Sequence, residues 1–217
     1  MSTVRQNVHP IPAPVDAGAE ESPVEGVAAA FRGFLESLGL DLADPNLAGT
    51  DHRVARAYQE MLSGLRRDEP ALSTFPNTKR YAGMISLTDI PFYSICAHHF
   101  LPFFGTAHVG YVPRERLIGL SKLTRIVDFY ARRPQLQENL TEEVAALLEE
   151  RLAPAGLIVF VEGRHLCMEM RGVSKPGVTT RTTAVRGTFQ GESLQCEFFA
   201  RVRGAGAPAI PGGAFRP

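Results

Sequence analysis

Cys96, His98 and His99 lie together in the apolar stretch SICAHHFLPFFG, and their side chains are those of metal ligands and proton carriers. A thiolate and an imidazole together suit zinc. Cys96 and His99 are three residues apart, so on a continuous strand they would face opposite ways, and joint ligation requires a turn. Pro102 and Gly105 follow closely and favour a turn or the end of a loop. The stretch therefore predicts two zinc ligands, with packing in a core as the alternative.

A third ligand must come from elsewhere in the chain, and Cys167 in the segment RHLCMEMRG is the candidate. The segment alternates like a strand, which predicts one face with His165, Cys167, Glu169 and Arg171, and the other with Leu166, Met168 and Met170. Three protein ligands leave one coordination position open, as in catalytic zinc sites. A structural site takes a fourth ligand, which His98 or His165 can supply, and the spacing leaves this choice open. A lone cysteine is more often a small buried hydrophobe, and Cys196 is interpreted in that way.

A second cluster of polar residues carries positive charge. Lys122 and Arg125 are three apart in GLSKLTRIVDFYARR, so both lie on one face of a predicted helix. Ser121 lies near the start of that helix, where backbone N–H groups favour anions. Arg171 and Arg53 can join them from other segments. The pattern predicts an anion site, but a solvated helix face has the same composition, and both interpretations stay open.

Gln137 and Glu138 follow this helix as an amide beside a carboxylate. A carboxylate accepts hydrogen bonds, while an amide donates and accepts them. The pair therefore matches the donor edge of a guanine. Such pairs are also common on protein surfaces, so the sequence leaves a surface role open.

The elements that must hold these residues are helices early in the chain, followed by strands and helices after about residue 80. Apolar residues at helical spacing predict helices near residues 24–39, 51–65, 119–133, 139–152 and 192–202. Alternating and β-branched runs predict strands near residues 81–90, 106–113, 156–162, 164–172 and 181–189. Strands grouped with paired helices, rather than alternating with single helices, indicate an α+β fold with an antiparallel sheet.

Length and composition exclude several classes of protein. The 217 residues, 44% of them hydrophobic, suffice for one sizeable core, so we expect a single domain over residues 24–203, with a helical part at 24–66 and a larger part at 80–203. Residues 1–23 and 204–217 are predicted to be flexible tails. The net charge of +0 argues against nucleic acid or a membrane as partner. The sequence lacks a long apolar run and a signal-peptide core, so we expect a cytoplasmic protein.

Five segments together resemble GTP cyclohydrolase I, the first enzyme of folate and tetrahydropterin biosynthesis. They are HRVARAYQEML, CAHHFLPFFGTAHVGYVP, GLSKLTRIVDFYARRPQLQENLTEEVA, HLCMEMRGV and TTRTTAVRGTF, in family order over roughly residues 24–203. The resemblance implies a T-fold assembled as a ring-shaped homodecamer with sites between subunits. It also implies conversion of GTP and water to 7,8-dihydroneopterin triphosphate and formate.

The resemblance implies a role for each candidate residue. The zinc ligands would be Cys96, His99 and Cys167, and the acid/base histidines would be His98 and His165. The ribose triphosphate would be bound by Ser121, Lys122, Arg125, Arg171 and Arg53, and the guanine by Gln137 and Glu138. The residue types suit this chemistry, because zinc lowers the pKa of bound water to about 7, histidines titrate near neutrality, and a triphosphate requires several cations.

One position departs from the family pattern, since Ala97 stands where the family usually has a glutamate between the cysteine and the histidines. A carboxylate there can orient a histidine, and Glu169, on the predicted face of His165 and Cys167, is a plausible substitute. Two alternatives follow. One is a paralogue of the same fold, with another nucleotide or a partial reaction, in a deazapurine or other secondary pathway. The other is a non-catalytic nucleotide-binding subunit, against which the presence of both His98 and His165 argues.

Overall fold

The computed structural model describes residues 23–204, and this part of the chain divides between Gln59 and Glu60 into two compact units. The predicted tails lie outside the described residues, except Pro23 and Gly204, which belong to the first and last helices. The single domain predicted over residues 24–203 stays a prediction.

The N-terminal unit contains α1 (Pro23–Ser37) and most of α2 (Thr50–Met61), close to the predicted helices. The buried Asp51 in the first turn of α2 accepts hydrogen bonds from His52 and from the Arg32 guanidinium of α1. These partners hold the pKa of Asp51 well below its usual range. The two helices are therefore joined by a charged network.

The second unit is built on a five-stranded sheet with the order β5-β2-β3-β6-β7. Its described strands are β1 (Thr74–Pro76), β2 (Ile85–Cys96), β3 (Pro102–Val112), β4 (Arg116–Ile118), β5 (Pro134–Gln135), β6 (Gly156–His165) and β7 (Thr179–Gly187). β2, β3, β6 and β7 are antiparallel neighbours, β5 pairs parallel to the end of β2, and β1 pairs with β4 separately. The register of β3 with β6 places Phe103 opposite His165.

Helices cover both faces of this sheet, because its strands alternate apolar residues to either side. The helices of this unit are α3 (Leu120–Ala131), α4 (Gln137–Leu152), the single turn α5 (Leu166–Glu169) and α6 (Glu192–Gly204), with 3-10 segments at Ser63–Leu65 and Thr188–Gln190. The core beneath α3 and α4 includes Val159 of β6, while Ile158 beside it packs with Phe198 of α6. The α+β class is confirmed, and an antiparallel sheet with a helix pair is the T-fold arrangement that the resemblance implied. No helix within residues 23–204 has the length and apolar character needed to cross a bilayer.

The prediction of a continuous strand over residues 164–172 is wrong. β6 ends at His165, and Leu166–Glu169 form α5 instead. The Arg164 guanidinium binds both carboxylate oxygens of Glu169, at 2.8 and 2.6 Å, which stabilises the turn. The predicted common face of His165, Cys167, Glu169 and Arg171 therefore does not exist. Glu169 faces Arg164, so it does not supply the carboxylate that Ala97 lacks.

The prediction that Cys196 lies in the core is also wrong, since its side chain is exposed on α6. The helix buries Phe198, which is 0% exposed. A residue two positions earlier is turned by about 200° around a helix axis. Cys196 consequently faces away from the core that Phe198 enters.

Candidate active site

A tight turn joins β2 to β3 and brings Cys96 close to His99. The backbone N–H of Phe100 donates to the carbonyl of Cys96 at 2.9 Å, and the N–H of Cys96 donates to the carbonyl of Leu101 at 2.9 Å. Phe100 adopts a positive φ of 55°, which lets the chain reverse. The N–H of Ala97 donates to a backbone carbonyl of β5 at 2.9 Å. The turn that joint ligation required is confirmed.

The three predicted ligands lie within reach of one ion. Cys96 Sγ is 3.8 Å from His99 Nδ1 and 3.9 Å from Cys167 Sγ, and all three ligand atoms lie within 4.8 Å of one another. A tetrahedral site with Zn–S bonds of about 2.3 Å places two sulfur atoms about 3.8 Å apart. The spacing of the donor atoms therefore fits zinc without rearrangement of the backbone.

The chemistry of this donor set agrees with its spacing. Burial raises the pKa of the Cys167 thiol, and the adjacent Cys96 raises it further. A divalent cation has the opposite effect, because coordination removes the thiol proton. Magnesium and calcium prefer oxygen ligands, whereas sulfur and imidazole suit zinc. The residues present thus fit a zinc ion.

His165 lies two residues before Cys167 and is fixed on two sides. Its ring stacks on the buried Phe103, with the ring centroids 4.6 Å apart and the planes inclined by 2°. Its Nε2 lies 3.0 Å from Oε1 of Gln137. Burial lowers the pKa of His165, and the Glu138 carboxylate opposes this effect. The imidazole is held in one plane beside the metal ligands.

A cavity of about 430 Å³ opens beside these residues. It is lined by seven of the predicted site residues, namely Cys96, His98, His99, Gln137, Glu138, His165 and Cys167. Gln135 and Thr180 also line it and were not predicted as site residues. The metal ligands, both histidines and the amide–carboxylate pair therefore share one cavity, large enough for a purine base.

Gln137 and Glu138 begin α4, earlier than the helix start expected from the sequence, and they differ in environment. Gln137 is 1% exposed, and its amide is hydrogen-bonded within the chain. Glu138 is exposed, and within residues 23–204 its carboxylate makes no hydrogen bond or ion pair. Glu138 is accordingly the member of the pair with acceptors free for a bound molecule, while the guanine role of Gln137 stays a prediction.

The predicted phosphate-binding residues are not among those that line this cavity. Ser121 and Lys122 occupy the first turn of α3, as expected. Arg125 lines a different cavity of about 580 Å³, which also contains Arg67 and Arg132. Arg171 is exposed after α5. The role of these residues in binding a triphosphate stays a prediction.

Arg53, the remaining predicted cation, belongs to the N-terminal unit. Its guanidinium donates to the carbonyl of Ala48 at 2.8 Å and to the hydroxyl of Thr50 at 2.7 Å. These bonds hold an exposed side chain against the start of α2. Its contact with substrate stays a prediction.

Sequence comparisons agree with this site. The family model described as GTP cyclohydrolase I matches residues 27–203. GTP cyclohydrolase 1 of Thermobifida fusca is 50% identical over 177 residues, covering 80% of this chain and 84% of the relative. GTP cyclohydrolase 1 of Pelotomaculum thermopropionicum is 45% identical over 177 residues, covering 81% and 94%. The solved structure of apo archaeosine synthase QueF-Like is 21% identical to this chain, with a TM-score of 0.39, and the match covers 48% of this chain and 93% of the QueF-Like chain. So weak a likeness says nothing about activity.

Proposed function

Because the chain belongs to the GTP cyclohydrolase I family, we propose that it converts GTP and water to 7,8-dihydroneopterin triphosphate and formate with the help of zinc. One observation carries the proposal. The donor atoms of Cys96, His99 and Cys167 converge in the same cavity as two further histidines and a free carboxylate. In the opening of a purine ring by water, a metal can activate the water, histidines can carry protons and a carboxylate can hold the base.

Cys96, His99 and Cys167 would hold the zinc ion and leave one coordination position open. Zinc in such a site acts as a Lewis acid and lowers the pKa of a bound water to about 7. The protein contributes the fixed position of the ligands, two from one turn and one from α5.

His165 and His98 move the protons of the reaction. His165 is held by Phe103 and by Gln137, so its ring keeps one orientation while a proton is taken up or given away. His98 lies on the exposed turn and lines the same cavity. Two imidazoles at one substrate allow one to accept a proton while the other donates.

The Glu138 carboxylate is suited to the guanine base. It offers acceptors, and the N1–H and 2-amino groups of guanine are donors. The cavity of about 430 Å³ that Glu138 lines is large enough for such a base. A base that lacks these donors would leave the carboxylate unpaired, which provides the selection.

The triphosphate requires cations that this cavity does not contain. We propose that a neighbouring subunit of a homodecamer completes the site, and that the phosphates are bound by Ser121, Lys122, Arg125, Arg171 and Arg53. The location of Ser121 and Lys122 at the N-terminal turn of α3 supports this assignment, because free N–H groups there favour anions. The cytoplasmic location expected from the sequence belongs to the same proposal.

Ala97 is the one feature that favours a paralogue with altered chemistry. Its side chain is exposed, its N–H donates to the carbonyl of Gln135, and the turn is closed by the backbone N–H groups of Phe100 and Cys96 rather than by a side chain. Loss of a carboxylate at this position therefore leaves the arrangement of the ligands intact. The geometry supports the cyclohydrolase reaction over a repurposed site.

Incubation of the zinc-loaded full chain with GTP tests the proposal. We expect formate and a fluorescent oxidised pterin in equal amounts, and neither from the Cys167→Ser variant. Formate without the pterin would indicate a reaction that stops after ring opening. Turnover of another purine nucleotide, but not of GTP, would overturn the proposal in favour of the paralogue.

A further inference from the structure

The buried amide of Gln137 is the centre of a polar network that reaches His165. Its Nε2 lies 3.1 Å from each of three acceptors, which are the carbonyls of Val161 and Thr180 and the hydroxyl of Thr182. Its Oε1 lies 3.0 Å from Nε2 of His165. Both ends of the amide are thus engaged inside the chain, and no N–H remains for a bound base.

The partners dictate which way the amide points. The carbonyl oxygens of Val161 and Thr180 can only accept hydrogen bonds, so the amide nitrogen must face them. The amide oxygen then faces His165 and can itself only accept. The proton in this bond consequently belongs to Nε2 of His165. In the neutral ring, the lone pair is left on Nδ1.

Two threonine hydroxyls support the same arrangement. Thr141 donates to the backbone carbonyl of Gln137 at 2.8 Å, so its oxygen accepts from Thr182 across 2.6 Å. The hydroxyl of Thr182 is then free to accept from the Gln137 amide. The two N–H protons of the amide are shared among three acceptors, and reversing the amide would set its oxygen against two carbonyl oxygens.

Gly163 provides the space that this amide occupies. A Cβ at this position would lie 2.4 Å from Oε1 of Gln137 and 3.7 Å from Nε2 of His165. A side chain there would displace the amide oxygen from the histidine. The strand therefore leaves room at the point where the amide meets the ring.

We propose that Gln137 is a positioning residue that acts through His165. It fixes the ring by accepting a hydrogen bond from Nε2, which leaves Nδ1 as the ring nitrogen without this bond. Recognition of the base then falls to Glu138, whose carboxylate makes no hydrogen bond or ion pair within residues 23–204. The inference rests on the proposed function and assigns to Gln137 a role other than the expected contact with guanine.

Nitrogen NMR spectra of the zinc-loaded full chain, with isotope-labelled histidine and without GTP, test the arrangement directly. The signal of His165 is the one that the His165→Asn variant lacks. We expect a protonated Nε2 and an unprotonated Nδ1. The Gln137→Met variant keeps the side-chain length but should lose this pattern. Thr182→Val is the matched control, because the two carbonyls still orient the amide, and it should keep the pattern.

Kinetics separate positioning from base recognition. We expect Gln137→Met to lower kcat by about 10–100-fold with little change in KM for GTP, because it acts on proton transfer. Substitution of a residue that binds guanine would instead raise KM and reduce the preference for GTP over ITP, which lacks the 2-amino group. Glu138→Gln should show that second behaviour and keep the proton of the neutral His165 ring on Nε2.

Gly163→Ala provides an independent variant if Gln137→Met folds poorly. Its methyl group should displace the amide oxygen and produce the same spectral change and the same fall in kcat. A proton on Nδ1 of His165 in the unmodified chain, or an unchanged spectrum in Gln137→Met, would overturn the inference. If the unmodified chain shows the expected His165 spectrum but does not turn over GTP, the positioning role is supported and the proposed function is refuted. Failure of the inference can therefore be distinguished from failure of the proposed function.

Discussion

Replacing Phe103 by leucine should separate its contribution to packing from its contribution to the active site. Phe103 is 0% exposed and makes two ring contacts. One is an edge contact with Phe92 at 5.7 Å, and the other is the parallel stack on His165 at 4.6 Å. Leucine fills most of the same space but offers no flat surface, so the imidazole loses the ring that fixes its plane.

The magnitude follows from these contacts. Truncation of a buried phenylalanine to alanine costs about 3–5 kcal/mol, whereas a swap of similar volume costs less than about 1.5 kcal/mol. Each lost ring contact adds about 0.5–1.5 kcal/mol. We therefore expect Phe103→Leu to lower the free energy of unfolding by about 2–3 kcal/mol. Phe92→Leu, which loses only the edge contact with Phe103, should cost about 1–2 kcal/mol.

Urea unfolding and steady-state kinetics measure the two effects. Both variants are compared at one protein concentration with saturating zinc, because bound metal and association change apparent stability. We expect kcat on GTP to fall about tenfold in Phe103→Leu, equivalent to about 1.4 kcal/mol, and to stay unchanged in Phe92→Leu. Equal kcat values for the two variants would refute the idea that the stack orients His165.

Four further predictions concern other parts of the molecule. The purified protein should contain about one zinc ion per chain by atomic absorption. Cys167→Ser should lose this zinc, whereas Cys196→Ser should keep it because Cys196 is exposed. A Cys167→Ser variant with a full zinc content would contradict the ligand assignment. Lys122→Ala should weaken binding of GTP far more than of guanosine by calorimetry, and equal losses would place Lys122 away from the phosphates. Burial lowers the pKa of His108, whose Nδ1 accepts a backbone N–H. The stability that the neutral ring contributes should therefore be complete above about pH 6.5 and be lost as the pH falls below this value. Urea midpoints across this pH range should vary less in His108→Gln than in the unmodified chain, and the same pH dependence in both would contradict this. Ala97→Glu should preserve or raise turnover of GTP, because the side chain is exposed and the turn is closed by backbone, and a tenfold loss would indicate a repurposed site.

The sequence predicted the features that depend on local periodicity. In the helix predicted near residues 119–133, the apolar residues at helical spacing Leu123, Ile126 and Val127 are all buried, because this spacing places them on one face. The turn between Cys96 and His99 followed in the same way from the geometry of a strand. Such conclusions require only residue types and short separations along the chain.

The features that the sequence did not predict depend on specific side-chain contacts, which the spacing of apolar residues along the chain does not reveal. Alternation after Arg164 suggests a strand, but the ion pair with Glu169 stabilises a helical turn there. The surroundings of Gln137 include Thr182, which is 45 residues away on a different element. Its burial and its partners became visible only once β7 was known to lie beside α4. Resemblance identified Gln137 as a site residue, but the contact with His165 requires the fold.

The separation of Cys96 and Cys167, 71 residues apart in the chain, gives the metal a second consequence. An ion held by both thiolates closes a loop of this length, as a disulfide would. Unlike a disulfide, this link is released on unfolding, because only the folded chain holds the ligands together. Zinc therefore stabilises the folded state by mass action, by about 2.7 kcal/mol when the free ion is at roughly 100 times its Kd. Removal of zinc should therefore lower the free energy of unfolding as well as stop turnover. Variants that weaken the metal site should be compared by their abundance as well as by their activity.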